Sequence, residues 1–210
     1  MEIDPGAQID TVARTVRPAG ERDGQELFIV ASTRPYAVDV DDLWDALTSQ
    51  DRLPRWFLPI SGDLRLGGRY QLEGNAGGEI LVCQPPRRLA VTWEFAGQLS
   101  WLEVLLTAEK PGSTRLDLEH TIPADDHWRQ FGPGATGVGW DMGLTGLAEH
   151  LATGAAADPA AAMAWLGSAD GRAFIARSSA AWARAAVVAG MPEPDATAAA
   201  ARTTAFYSGG

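Results

Sequence analysis

Apolar residues recur along this chain with two different periods. Ile9, Val12 and Val16, and then the almost continuous run Leu27, Phe28, Ile29 and Val30, read as strands over 9–17 and 25–36, with the polar stretch Pro18 to Gly24 as their turn. From Val38 the period lengthens. Val40, Leu43, Trp44 and Leu47 fall at i, i+3, i+4 and i+7, one face of a helix. Asp39 stands at its N-cap, and Asp41 and Asp42 suit the positive end of the helix dipole. A short second helix carries Arg55, Trp56 and Phe57 and is ended by Pro59 and Gly62; the Gly67-Gly68 turn then feeds a strand.

Strand signals return over Gly68–Glu73, Glu79–Gln84, Arg88–Phe95, Leu99–Ala108 and Ser113–Ile122, separated by the breakers Gly74 to Gly78, Pro85-Pro86, Ala96-Gly97 and Lys110-Pro111-Gly112. Short turns between consecutive strands predict an antiparallel meander. Alternation sorts its faces. Leu89, Val91, Trp93 and Phe95 share one side, as do Leu102, Val104 and Leu106, and Leu116, Leu118 and His120; Arg115, Asp117 and Glu119 take the wet side. A loop rich in aromatic and acidic residues (Asp125 to Phe131) precedes a helix from about Ala135 to Ala152, striped by Trp140, Leu144, Leu147 and Leu151.

Gly137, Gly139, Gly143 and Gly146 lie inside that helix, each costing about 1 kcal/mol relative to alanine. They imply either very close packing or room left for a guest. Beyond residue 153 alanine dominates. Helices are predicted from Asp158-Pro159 to Leu166, from about Ala169 to Ala189, and from about Asp195 to Tyr207, anchored by Phe174, Trp182, Phe206 and Tyr207. The organisation read from this is a domain over 1–152 and a helical extension over 153–210 packed on it.

The net charge of −10, with 17 Lys and Arg scattered along the chain, argues against nucleic acid and anionic membrane surfaces as partners. The single cysteine, Cys83, excludes an intramolecular disulfide. MEIDPGAQID has neither the basic nor the apolar region of a signal peptide, and no apolar run approaches the roughly 18 residues of a membrane span, so a cytoplasmic location is expected. His120 and His127 with Asp125 and Asp126 show no zinc spacing, and Gly137, Gly139 and Gly143 follow no strand of a dinucleotide-binding unit. No metal or cofactor is expected.

The segments WDALT (Trp44–Thr48), RWF (Arg55–Phe57), GDLRLGGRY (Gly62–Tyr70), PPRRLAVTWEF (Pro85–Phe95), GSTRLDLEHT (Gly112–Thr121) and GVGWDMGLTGL (Gly137–Leu147) together resemble the START-like superfamily, also called SRPBCC. Within it they resemble the branch named after the activator of Hsp90 ATPase homologue. The resemblance covers roughly residues 25–152. It implies an α+β helix-grip fold: a curved antiparallel sheet around a long helix, two short helices at one end, and a cavity between sheet and long helix. The alanine-rich extension lies outside it. The superfamily hosts lipid and polyketide binders, cyclases, dehydratases and co-chaperone modules, so fold alone is weak guidance to function.

On that frame the expected function is binding of a small, largely apolar or aromatic ligand in the cavity, by a monomer or homodimer. The candidate lining is Trp56, Phe57, Tyr70, Trp93, His120, Trp128, Trp140, Asp141 and Leu144, since such cavities are mostly apolar with a few placed polar groups. His120 is either a polar contact or acid/base group, or a buried histidine satisfied by one hydrogen bond. Trp93 and Trp140 serve equally as lining or core. Trp128, in a polar loop, reads as a lid or rim. Asp141 either borders the cavity or is a surface charge. Two alternatives stand beside binding: an enzyme of cyclase or hydrolase type with His120 as acid/base, and a co-chaperone-like protein-interaction module.

Overall fold

The computed structural model describes residues 4–209. Among them the chain forms α1 (Pro5–Asp10), the long strands β1 (Ala13–Arg22) and β2 (Gln25–Tyr36), α2 (Val40–Thr48) and a 3-10 turn (Leu53–Arg55). The meander β3 (Ile60–Gly62), β4 (Arg69–Leu72), β5 (Gly77–Gln84), β6 (Arg88–Phe95), β7 (Gln98–Lys110) and β8 (Ser113–Pro123) follows. The chain closes with α3 (Asp126–Phe131), α4 (Gly134–Thr153), α5 (Pro159–Leu166), α6 (Ala169–Val188) and α7 (Glu193–Ser208). The strands make one sheet in the order β1-β2-β8-β7-β6-β5-β4-β3. This is the helix-grip architecture.

Three local expectations need correcting. Ile9 lies on α1, not on a strand; Asp4 caps that helix, its carboxylate accepting from Gly6 N at 2.8 Å. β1 runs through Pro18 to Arg22, leaving Asp23-Gly24 as the turn. Proline is tolerated there because β1 is an edge strand, where a missing N–H costs no ladder bond. The stretch after Asp125 is a helix, α3, capped by the Asp125 carboxylate, which accepts from Trp128 N at 2.9 Å. Six residues are too few for its period to show.

The residues group into two compact units, one of 4–32, 123–145 and 158–209 and one of 33–122 and 146–157. In the second, β7 and β8 pair antiparallel with Leu102 opposite His120, Val104 opposite Leu118 and Leu106 opposite Leu116. Every second residue of β8 from Thr114 to Ile122 is buried, which places Leu116, Leu118 and His120 on the inner face as the alternation predicts. The outer face carries exposed pairs such as Arg69–Glu94 and Arg88–Glu103. α2 packs on β7. Asp39 sits at its N-cap position but caps nothing: its carboxylate accepts from Gly112 N at 2.8 Å, in the β7–β8 turn. Thr114 Oγ1 donates to Val38 O at 2.8 Å and pins the same helix start.

In the first unit α6 packs against β1, α1, α5 and α7, and α3 against α7. Phe174, Ile175 and Trp182, all fully buried, face inward from α6. Two glycines of α4 in this unit, Gly134 and Gly137, answer to close packing. A Cβ on Gly137 would stand 2.2 Å from the Trp182 ring, and one on Gly134 would stand 2.5 Å from Thr203 Oγ1. The missing side chains thus admit α6 and α7.

Candidate functional site

β8 delivers His120 to the inner sheet face because Leu116, Leu118 and His120 share strand parity, and β7 delivers Ser100 by the same rule, two residues before Leu102. Both are buried. Ser100 Oγ lies 2.9 Å from His120 Nε2 and 3.1 Å from the carbonyl oxygen of Trp93, its cross-strand neighbour. The single hydroxyl proton goes to Trp93 O or to an unprotonated Nε2, and the tautomer of His120 decides which. The Trp93 ring meets the imidazole edge-on, with centroids 5.6 Å apart. Burial pushes the His120 pKa down to about 4, so the ring is neutral at pH 7.

Chemically, this is a fixed polar contact on an apolar wall. A neutral imidazole with so low a pKa is a poor general acid at pH 7.

The other predicted residues of the second unit are tied down. Tyr70 is buried, and its hydroxyl donates to Thr92 O at 2.8 Å; desolvation raises its pKa. Trp56 is buried, its indole N–H donates to Ala46 O at 2.8 Å, and its ring lies 5.3 Å from that of Phe57. A Cβ on Gly146 would approach the Trp56 carbonyl oxygen to 3.0 Å.

In the first unit Trp140, Asp141 and Leu144 lie buried on α4. Asp141 is neither a surface charge nor alone. Its Oδ2 accepts from Arg14 Nε at 3.0 Å, from Trp182 Nε1 at 3.1 Å and from Ser178 Oγ at 2.5 Å. Arg14 in turn donates to the carbonyls of Ile9 and Val12. Burial pushes the Asp141 carboxyl above the usual carboxylate range, opposed by the Arg14 charge and by hydrogen bonds from Ser178, Arg14 and Trp182. Oδ1 is buried without a partner. The network closes β1, α4 and α6 on one another. Trp128, on α3, is buried and stacks on Phe28 of β2, with centroids 4.3 Å apart and planes 10° from parallel.

Sequence reasoning passed over Ser100, Arg14 and the polar use of Ser178 and Trp182. Ser100 had a signal, being a hydroxyl at an apolar-parity position of β7. Ser178 and Trp182 stand at i and i+4 on α6, and their common face was legible. Arg14 had none, because its partner is distant in sequence. Among the described residues no group of three or more His, Cys, Asp and Glu is placed to hold a metal ion, and no helix is long and apolar enough to cross a membrane.

Comparison with known proteins gives a family match over residues 37–152, to the family described as "Activator of Hsp90 ATPase homolog 1-like protein". The crystal structure of CalU16 from Micromonospora echinospora is 30% identical, with a TM-score of 0.63 over 81% of this chain and 97% of that one. Its solution structure aligns over 94% of this chain and 93% of that one, at 26% identity and a TM-score of 0.62. DynU16, from the dynemicin biosynthetic locus, shares the fold at 22% identity and a TM-score of 0.55, over 61% of this chain and 48% of that one. No curated protein matches.

Proposed function

The chain belongs to the Activator of Hsp90 ATPase homolog 1-like family of the START-like (SRPBCC) superfamily, and from that premise we propose that it binds a small, largely apolar or aromatic molecule against the inner face of its sheet, in the cavity that the helix-grip fold implies. One observation carries the reading: a neutral Ser100–His120 pair, flanked by Trp93, set in a face that Val91, Leu102, Val104, Leu116 and Leu118 make largely apolar. Apolar walls supply the affinity, roughly 25 cal/mol per Å² removed from water, and the pair orients the guest. The low His120 pKa favours binding over acid/base catalysis.

The test is thermal unfolding with 2-naphthol as probe. A ligand at about a hundred times its Kd stabilises by about 2.7 kcal/mol. His120→Ala is expected to reduce that stabilisation without abolishing it. Absence of any stabilisation by 2-naphthol in the wild type would sink the proposal. Turnover of a naphthyl ester that vanishes in His120→Ala would replace it with the enzymatic reading.

A further inference from the structure

The first unit contains a cleft of about 610 Å³, within the range of small-molecule sites. It shares no residue with the sheet face described above. Phe28 and Trp128 form one wall, and their nearly parallel stack holds the indole plane in place before any guest arrives. Met191, an adaptable thioether, forms another. The space exists because α7 presents Ala198 and Ala199 to it, and residue 132 is glycine.

Four charged residues complete the lining. Arg129 is already engaged by the Asp126 carboxylate and by the carbonyl oxygen of Ala124. Arg202 is positioned through Nε, which donates to Gln130 O at 2.5 Å, and its terminal amino groups stay available. Glu26 and Asp195 bring two carboxylates. With Arg129 paired to Asp126, Arg202 faces the two carboxylates Glu26 and Asp195, so an anionic guest is repelled, and a cationic one must still forfeit its own hydration. A neutral guest whose hydroxyl can donate to a carboxylate and accept from a guanidinium meets both signs at no such cost.

We propose that this cleft is a second binding site, which takes a flat, uncharged aromatic molecule carrying phenolic hydroxyls. Trp128 then serves as a wall of this site.

Titration of the full chain with 2-naphthol, followed through the Met191 methyl resonance by NMR, tests the assignment. The wild type is expected to show a saturable Met191 shift. Ala198→Phe, which fills the cleft from an exposed position, is expected to remove it, and Arg202→Gln to weaken it several-fold. The same ring with a charge, as 2-naphthoate or 2-naphthylmethylammonium, is expected to bind at least about tenfold more weakly, a difference of about 1.4 kcal/mol. His120→Ala should leave the Met191 response intact, which separates this site from the sheet face. A silent Met191, an unchanged response in both Ala198→Phe and Arg202→Gln, or tighter binding of either charged probe overturns the proposal.

Discussion

His120 has a depressed pKa in the folded chain, which makes a pH prediction with a definite sign. Unfolded, the ring takes up a proton near pH 6.5; folded, it resists until about 4, because burial disfavours the cation. Its contribution to stability is therefore complete above pH 6.5 and is lost as pH falls to about 4, by as much as roughly 3 kcal/mol. Urea unfolding of the wild type and of His120→Gln across that range should show the difference between them shrinking as pH falls. A difference that stays constant would mean that His120 titrates normally. Asp141 poses the opposite problem, a charge whose burial is offset by donors from two other elements. Asp141→Leu should cost about 3–5 kcal/mol, because Arg14 then lies buried and unpaired. The double variant with Arg14→Met should recover much of that loss in the same unfolding assay. If the losses simply add, the ion pair is not what couples these positions.

The glycines of α4 show how elements were legible and where they were not. Their unfavourable helix propensity announced that something needed the space, but propensity cannot say what. The structure places Trp182 against Gly137 and Thr203 against Gly134. Gly137→Ala should gain about 1 kcal/mol of helix propensity and lose more to overpacking, since its methyl group would sit within the indole. A higher denaturation midpoint in Gly137→Ala would show that Trp182 can move aside. The meander was readable for the opposite reason. Period-2 alternation on β7 and β8 is local, and it put His120 on the inner face without knowledge of any partner strand. Pro18 hid the length of β1, because an edge strand follows looser rules than a central one. Of the candidate site, the residues that alternation or helical spacing places could be found. The partners that closure of the fold brings together, Ser100 with His120 and Arg14 with Asp141, could not.

At the scale of the whole molecule the family match ends at residue 152, whereas the interactions do not. Whether 1–157 can fold without the helices packed on it turns on the contacts of the first unit. Without α6 the Asp141 carboxylate loses Ser178 and Trp182, two of its three partner side chains, and keeps only Arg14. The α4 surface at Gly134 and Gly137 loses the side chains that cover it, and β1 loses the helix packed against it. Trp182, Phe174 and Ile175 each bury an apolar side chain worth about 1.5–3 kcal/mol, so their combined loss is comparable to the whole stability of an ordinary domain. We therefore expect a chain ending at residue 157 to lose cooperative thermal unfolding and dispersed amide resonances. Adding back a 158–210 peptide in trans should restore both only in part, because the peptide must be ordered on binding. A truncated chain that unfolds cooperatively at the wild-type midpoint would show instead that the domain of the family match stands by itself and that the helices are an addition to it.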